Sequence, residues 1–302
     1  MSETILIKNL SLVRFISKVL PLKRKLNFLI KNYLRENLDV AIPYYKAWDI
    51  CITVTDLNRS TVEKLILEGI NSQPEIALIK LLRKKLPGNM VFVDVGGNIG
   101  TFLCQFLDKC ERVIVFEPMP ALAHVIRRSI EFNKDHKIFL IDKAAGDKDG
   151  KVLMQDNNNS RVTTTEYPGD IVEIEITTLD KELALLQKVD FIKIDVEGYE
   201  IHVLNGAKEL IKKFRPVLLI EVHPMYLEHY NEPVSDIMTF LEENNYDIKY
   251  FSFMEEIRMS RVKRLLSRWK GNKGVQFSKE DFLKDIPKQP RLASYHFYCE
   301  PK

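Results

Sequence analysis

Three acidic side chains end three successive apolar segments of this sequence. Asp94 lies in VFVDV, Glu117 ends RVIVFE and Asp142 ends KIFLID. The carboxyl ends of parallel strands meet at the edge of a sheet where ligands bind. A carboxylate at Glu117 can accept hydrogen bonds from both hydroxyls of a ribose, and one at Asp142 would lie where an adenine amino group lies. The three acids therefore predict a site for an adenosine-containing cofactor.

A glycine-rich turn, GGNIG, directly follows this first apolar segment. Gly96 and Gly97 let the backbone approach a ligand, Asn98 tolerates left-handed geometry, and Gly100 lets a helix pack closely. A dinucleotide would set its pyrophosphate against the turn, where Asp94 would repel it. S-adenosylmethionine instead carries a sulfonium and an amino group. The turn thus favours an S-adenosylmethionine site, and a tight turn without a ligand is the alternative.

A second group of polar side chains follows two later apolar segments. Asp195 and Glu197 follow DFIKI, and Glu221 and His223 end PVLLIEVH. Side chains of these types can take a proton from a hydroxyl, either directly as a base or through a metal that they hold. His223 is the favoured base because its ordinary pKa is near 6.5, although it can instead only orient a neighbour. Alternatively, Asp195, Glu221 and His223 hold a divalent cation such as Mg²⁺, Mn²⁺ or Fe²⁺.

The elements that must position these side chains alternate between strands and helices. Near-continuous apolar strands separated by amphipathic segments are typical of a doubly wound α/β domain. An amphipathic helix, EIALIKLLRKKL, precedes the first strand. Central strands are predicted at 91–95, 112–117, 137–142, 190–196 and 216–222, with further strands at 173–180, 246–253 and 294–301.

Two regions fall outside this alternating pattern. Residues 1–72 carry apolar side chains at helical spacing and are predicted to form a helical N-terminal extension to a domain at 73–302. A basic insertion is predicted at about 254–290. Its segment 258–273 has seven basic residues, no acid and an apolar stripe at helical spacing. This segment is expected to make peripheral contact with an anionic membrane, to bind an anionic substrate, or to pack on the domain.

Composition excludes several classes of protein. The chain has 302 residues, 45% of them hydrophobic, and a formal net charge of +3, so it is neither disordered nor a strong polyanion binder. Its four cysteines form no CxxC pair, which disfavours zinc and disulfides. It has no apolar run of membrane-spanning length and no secretory signal pattern. We therefore expect a cytoplasmic protein with at most peripheral contact at the inner membrane surface.

Several motifs together resemble those of the FkbM family of methyltransferases. They are DVGGNIG, VFEP, AAGD, FIKIDVEGYE with LNGA, and IEVH, which cover about residues 73 to 225. The resemblance implies a class I, Rossmann-like methyltransferase fold, with a mostly parallel seven-stranded sheet and helices on both faces. It also implies transfer of a methyl group from S-adenosylmethionine to a hydroxyl, often on a sugar or a natural product.

The resemblance also implies roles for individual residues. The cofactor loop matches Asp94, Gly96, Gly97, Asn98 and Gly100, the ribose acid matches Glu117, and the family signature matches Asp195, Glu197 and Gly198. The expected substrate is a hydroxylated small molecule or a glycan. Alternatives are a nucleic-acid or other small-molecule methyltransferase, or a non-catalytic cofactor-binding module. Nucleic acid is not expected, because the acidic turn at 195–198 suits neither a flipped base nor a phosphate.

Overall fold

The computed structural model describes residues 4–6, 39–45, 48–53, 76–155, 162–163, 171–252, 275–286 and 294–302. In chain order the strands are β1 (Thr4–Leu6), β2 (Asp39–Tyr45), β3 (Trp48–Thr53), β4 (Met90–Val95), β5 (Cys110–Phe116), β6 (Ile138–Ile141), β7 (Ala144–Ala145), β8 (Gly150–Gln155), β9 (Val162–Thr163), β10 (Ile171–Thr177), β11 (Phe191–Ile194), β12 (Val217–Val222), β13 (Tyr246–Ser252), β14 (Val275–Phe277) and β15 (Tyr295–Pro301). The helices are α1 (Ile76–Lys85), α2 (Pro120–Asn133), α3 (Leu179–Glu182), α4 (Glu200–Asn205), α5 (Lys208–Phe214), α6 (Pro224–His229), α7 (Val234–Glu243) and α8 (Lys279–Asp285).

The main sheet has eight strands in the order β14-β13-β15-β12-β11-β4-β5-β6. The five strands from β12 to β6 are parallel to one another, as the acid-ended apolar segments predict. β15 is antiparallel to both of its neighbours, β12 and β13. The prediction of seven strands is one too few, because the three-residue β14 adds an edge strand beside β13. The Rossmann-like class of the fold is confirmed.

Both faces of this sheet are covered, which explains why its central strands are apolar throughout. All six residues of β4 are buried. One face packs against α1 and α2, and the other packs against α4, α5 and α7. The chain runs outward from β4 through β5 to β6 and then returns to the other side of β4 as β11. The strand order therefore reverses between β4 and β11, and such a point is where open α/β sheets bind ligands.

A second, four-stranded sheet in the order β7-β10-β8-β9 follows β6 in the chain. Its long strands β8 and β10 are antiparallel, with Ile171 opposite Gln155 and Ile176 opposite Gly150. The sequence predicts only one additional strand in this region, at 173–180. This sheet brings Met154 and Val162 against the cleft described below.

The N-terminal region differs from the prediction wherever it is described. Residues 4–6, 39–45 and 48–53 are strands rather than helices, and β2 and β3 form an antiparallel hairpin. The hairpin is bound to α2, since Cys51 N donates to Ser129 Oγ at 2.9 Å and Asp49 N donates to Asn133 Oδ1 at 3.0 Å. The remaining parts of the predicted extension, and the basic segment 258–273, lie outside the described residues. No helix in the described part of the chain is both long and apolar enough to cross a bilayer.

Candidate active site

A cleft opens at the carboxyl ends of β4, β5 and β11, where the strand order reverses. We call it the cofactor cleft. Its wall combines apolar side chains from α2, β7, β8 and β9 with polar groups from the strand ends. The lining residues are Val95, Gly96, Asn98, Phe116, Glu117, Pro118, Met119, Leu122, Ala144, Ala145, Met154, Val162, Asp195, Val196, Glu197 and Tyr199.

Glu117 lies in the cofactor cleft with its carboxylate held by the backbone. Its Oε2 accepts a hydrogen bond from Asn98 N at 2.7 Å, and its Oε1 accepts one from Met119 N at 2.9 Å. Burial raises the pKa of Glu117 to about 7, although the two backbone donors act in the opposite direction. Each carboxylate oxygen can accept a further hydrogen bond, so this group suits a ligand with adjacent hydroxyls.

The glycine turn is shaped mainly by contacts within the protein. Gly96 and Gly100 have φ values of +84° and +82°, and Asn98 has a φ of 52°. A Cβ atom on Gly96 would lie 1.9 Å from the carbonyl oxygen of Asp195, and one on Gly97 would lie 2.2 Å from a methyl group of Val115. The lack of a side chain at Gly96 and Gly97 therefore allows β4, β5 and β11 to pack closely. The sequence predicts that these glycines allow a ligand to approach.

Replacing Gly96 by alanine is expected to destabilise the fold and to abolish cofactor binding. The added Cβ would clash with the backbone of Asp195, and the left-handed backbone is unfavourable for alanine. Gly88→Ala is the matched control, because nothing lies within 4 Å of its Cβ position. Thermal unfolding and calorimetric titration with S-adenosylmethionine measure both effects. Wild-type stability in Gly96→Ala would contradict the packing described here.

Asp94 and Asp142 do not line the cofactor cleft. Asp94 is fully buried, and neither of its carboxylate oxygens has a hydrogen-bond partner. Burial raises the pKa of Asp94 to about 6, although the nearby Lys193 ammonium partly offsets this effect. The Asp142 side chain is 62% exposed and pairs with Arg127 at 3.1 Å. The cofactor roles predicted for these two acids are therefore not supported by direct contact with the cleft.

Lys193 is a buried side chain that sequence reasoning missed. Its Nζ donates to Asp195 Oδ2 at 3.0 Å and to the carbonyl oxygen of Gly96 at 3.2 Å, and it lies 3.6 Å from Asp94 Oδ1. Burial alone would lower the pKa of Lys193, but the charges of Asp195 and Asp94 raise it well above its usual range. Lys193 is therefore a permanent cation that joins β4, the glycine turn and β11.

A second cleft shares Gly96, Asn98 and Asp195 with the cofactor cleft. We call it the polar cleft, because most of its other side chains are charged or hydroxylated. Its lining is completed by Gly97, Thr101, Phe102, Lys193, Leu219, Glu221 and His296. Asp195 thus stands at the boundary between the two clefts.

His223 lies among three carboxylates. Its Nδ1 is 3.3 Å from Glu200 Oε1, and its Nε2 is 3.6 Å from both Glu197 Oε2 and Glu221 Oε1. Burial alone would lower the pKa of His223, but the hydrogen bond to Glu200 and the charges of Glu221 and Glu197 raise it well above its usual range. His223 is therefore an imidazolium at neutral pH.

Glu221 contacts a second histidine as well. Its Oε2 lies 3.5 Å from Nε2 of His296, which β15 places opposite Glu221 in the sheet. Burial alone would raise the pKa of Glu221, but His296, His223 and Lys193 together hold it well below its usual range. The Glu221 carboxylate therefore stays ionised at neutral pH.

The sequence of the chain matches the family model described as the methyltransferase FkbM domain over residues 94–248, which is more than half of its length. The chain belongs to the FkbM methyltransferase family. Among its relatives, the hexuronic acid methyltransferase AglP of Haloferax volcanii is 28% identical over 149 residues, which are 48% of this chain and 61% of AglP. Methyltransferase 1 of Beauveria bassiana is 23% identical over 150 residues, which are 41% of this chain and 60% of that protein.

A crystal structure of an FkbM methyltransferase from Methylobacillus flagellatus is also similar to this chain. It has 20% sequence identity and a TM-score of 0.43, and the match covers 78% of this chain and 52% of that one. For AglP and Methyltransferase 1, the matched segments span only about three fifths of each relative's own length.

In this FkbM protein the motif KIDVEGYE forms the end of β11 and the turn into α4. Glu197 has a φ of 54°, and Gly198 has a φ of +102°, with no room for a Cβ atom beside Tyr226. Glu200 is fully buried and accepts a hydrogen bond from Gly198 N at 2.9 Å while it contacts His223. The turn therefore places Glu197 at the cofactor cleft, and Glu200 holds the ring of His223.

One oxygen or nitrogen atom from each of Asp195, Glu197 and His223 lies within 4.8 Å of the others, and these are the residues of the described chain that could hold a metal. The predicted set contained Glu221 in place of Glu197. Glu221 Oε1 does lie 3.6 Å from His223 Nε2, but Glu221 is not in this group, and its Oε2 lies 3.5 Å from His296 Nε2. Imidazole binds metals in its neutral form, whereas His223 is held protonated by its carboxylate neighbours. A metal bound here would therefore have to displace this proton, because Glu197, which helps to raise the pKa of His223, belongs to the same group of possible ligands.

Proposed function

We propose that this protein transfers a methyl group from S-adenosylmethionine to a hydroxyl oxygen of a saccharide or a glycosylated small molecule. The observation that carries this proposal is the position of Asp195 at the boundary of the cofactor cleft and the polar cleft, with Glu197 beside it. An acceptor and a cofactor that occupy the two sides would meet at these carboxylates.

The side chains of the cofactor cleft fit S-adenosylmethionine. Its apolar wall, which includes Leu122, Ala144 and Met154, suits an adenine ring, and Glu117 suits the ribose hydroxyls. The carboxylate of Asp195 lines the same cleft, where it would attract the positively charged sulfonium of the cofactor. When bound, S-adenosylmethionine supplies an electrophilic methyl group on its sulfonium.

We assign the role of proton acceptor to Glu197. Burial raises the pKa of Glu197, as do the charges of Asp195 and Glu221, whereas His223 lowers it. A carboxylate with a raised pKa is a better base near neutral pH. Its Oε2 atom is buried and makes no hydrogen bond, so it can accept one from an acceptor hydroxyl. Glu197 would hold the proton at Oε2 as the oxygen–methyl bond forms.

His223 serves in this proposal as a positioning residue. An imidazolium cannot accept a second proton, so its raised pKa disfavours the general-base role that the sequence suggests. Its charge instead lowers the pKa of Glu197 and so favours the ionised form, and Glu200 holds the ring in place. Glu197 therefore takes the proton, and His223 positions Glu197.

A saccharide is the favoured acceptor on two grounds. The name of the Haloferax relative states that it methylates a hexuronic acid. The carboxylates around Asp195 also suit hydroxyl donors better than the phosphates of a nucleic acid, which they would repel.

Transfer of tritiated methyl from S-adenosylmethionine to a panel of glycans and cell extracts tests the function directly. We expect label on saccharides in a form that resists mild alkali, because a methyl ether is stable where a methyl ester releases methanol. Glu117→Ala is the inactive control, since it removes the ribose contact, and a chelator is expected to leave activity unchanged. Label on nitrogen or on nucleic acid, or none on any saccharide, would overturn the proposal.

A further inference from the structure

His202 lies between two carboxylates and outside the lining of the cofactor cleft. It is carried by α4, its Nδ1 lies 3.0 Å from Oδ2 of Asp147, and its Nε2 lies 3.0 Å from Oε1 of Glu232. Asp147 follows β7, and Glu232 lies between α6 and α7. Both nitrogen atoms of the imidazole are therefore engaged, and three separate segments of the chain fix the position of the ring.

The ring of His202 stacks on the ring of Tyr199. The two ring centres are 4.0 Å apart, and the ring planes differ by 20°. Tyr199 is buried and lines the cofactor cleft. Burial and the charges of Asp147 and Glu232 raise the pKa of Tyr199 to about 12, so this side chain stays a neutral phenol. Tyr199 therefore connects His202 to the cleft.

Tyr199 has two further neighbours on the same side of the cleft. The ring of Tyr230 meets it edge-on at 5.6 Å, and the Tyr230 hydroxyl donates to the carbonyl oxygen of Val162, which also lines the cleft. A Cβ atom on Gly146 would lie 3.0 Å from Cε1 of Tyr199, so the turn that carries Asp147 lies directly against this ring. Tyr199 is therefore held within a tightly packed group.

We propose that His202 is a positioning residue for the cofactor, which fixes Tyr199 in the wall of the cofactor cleft and thereby increases the affinity for S-adenosylmethionine. This inference rests on the part of the proposed function that places S-adenosylmethionine in this cleft. It assigns a role to a histidine that lines neither of the two clefts.

The physical basis of this role is preorganisation. A side chain that is already held in its binding position loses little conformational freedom when the ligand arrives. Without the imidazole, the ring of Tyr199 loses its stacked neighbour. Part of the cleft wall would then be ordered only when the cofactor binds, which lowers the affinity. The transfer step should change less, because His202 does not contact the reacting groups.

Calorimetric titration of the full chain with S-adenosylmethionine tests this inference in His202→Gln. This substitution keeps a hydrogen-bonding group between the two carboxylates and removes the aromatic ring. We expect Kd to rise by about 10-fold, the order of one aromatic contact. With an active acceptor, KM for S-adenosylmethionine should rise in parallel, whereas kcat at saturating cofactor should change much less. His124→Ala is the matched control, because this histidine is exposed on α2 and lines neither cleft.

Two further variants show whether His202 acts through the ring of Tyr199. In a Tyr199→Ala background, His202→Gln should weaken binding little further, because the ring that it supports is gone. His202→Phe restores an aromatic ring beside Tyr199 and loses both carboxylate contacts. It should therefore bind S-adenosylmethionine more tightly than His202→Gln does. Thermal unfolding of each variant establishes that the titrated protein is folded.

The outcomes separate this inference from the proposed function. A wild-type Kd in His202→Gln, or fully additive losses in the double variant, would overturn the inference. Binding by His202→Phe that is no tighter than binding by His202→Gln would overturn the role of the stacked ring. If Glu117→Ala also binds S-adenosylmethionine as tightly as the wild type, the cofactor lies elsewhere, and its placement in the proposed function fails as well. Weak binding by Glu117→Ala beside tight binding by His202→Gln would overturn the inference alone.

Discussion

Glu197→Gln is expected to lower kcat by about 10²–10⁴-fold while the affinity for S-adenosylmethionine changes little. The substitution keeps the shape of the side chain and removes its ability to take a proton. Oε2 of Glu197 makes no hydrogen bond, so the contact that the amide weakens at that atom is the ion pair with His223 Nε2 at 3.6 Å. Single-turnover kinetics together with calorimetric titration separate the chemical step from binding.

The pH dependence of kcat distinguishes Glu197 from His223 as the base. A carboxylate base is active only when ionised, so kcat should rise with pH through the raised pKa of Glu197. The charge of His223 lowers that pKa, and His223→Gln removes the charge. We therefore expect His223→Gln to shift the acidic limb of the profile to higher pH and to recover activity in alkaline solution.

Two results would contradict this assignment. If His223 is the base, His223→Gln should stay inactive at every pH, and Glu197→Gln should retain most of its kcat. If both variants retain kcat, the base would be Asp195, whose carboxylate lines both clefts.

Lys193→Met is expected to lower the free energy of unfolding by about 3–5 kcal/mol at pH 8. The ammonium of Lys193 lies 3.6 Å from Oδ1 of Asp94, whose carboxylate is fully buried. The substitution leaves the charge of Asp94 buried without a compensating cation. An uncompensated buried charge is strongly destabilising. Denaturant unfolding of the wild type and the variant measures the loss.

The loss should shrink as the pH falls. The folded-state pKa of Asp94, about 6, lies above its ordinary value, so the folded protein binds this proton more tightly than the unfolded chain does. This group therefore disfavours folding increasingly as the pH rises from about 4 to 6. Without Lys193 the pKa of Asp94 rises further, and the destabilised range extends to higher pH. The difference between wild type and Lys193→Met should be larger at pH 8 than at pH 5.

A double-mutant cycle provides the control. Asp94→Asn in the Lys193→Met background removes the buried charge and should restore much of the lost stability. Lys151→Met, which breaks an exposed pair with Glu173, should change stability by less than about 1 kcal/mol. A loss in Lys193→Met that neither pH nor Asp94→Asn affects would mean that packing, rather than charge, makes Lys193 important.

The central strands of the fold could be predicted because each is a short apolar segment with an acid at its last or next-to-last position. The segment predicted at 91–95 is β4 (Met90–Val95), and the one predicted at 216–222 is β12 (Val217–Val222). β14 has only three residues, and the hairpin of β2 and β3 lies in a region whose apolar spacing favours helices. Burial on both faces leaves a strong local signal, whereas short edge strands depend on contacts distant in sequence.

The candidate site was predictable only in part. Glu117 was predicted to hold the cofactor, and Asp195 and Glu197 were predicted to take part in catalysis. All three line the cofactor cleft, and their roles stay predictions. His296 was missed because its partner, Glu221, lies far away in the sequence and meets it only through the pairing of β15 with β12. Asp142 was expected at the site because it ends a strand, but its side chain is largely exposed and pairs with Arg127.

Lys193 was missed for a different reason. It lies within an apolar strand, where a single lysine resembles an interruption in the pattern rather than a functional group. Its importance comes from Asp94 on the neighbouring strand, which is opposite Lys193 in the register of β4 and β11. Such a pairing follows from strand order, which local sequence does not encode.

The position of β15 affects the order in which the protein can be assembled during translation. β15 (Tyr295–Pro301) fills the gap between β12 and β13, so β12 has an unpaired edge in a nascent chain that lacks these residues. An open edge on an apolar strand is an aggregation hazard for partly synthesised chains. The same late segment brings His296 beside Glu221. Protection of the open edge of β12 and the contact of His296 with Glu221 therefore arise in a single step, once Tyr295–Pro301 has been synthesised.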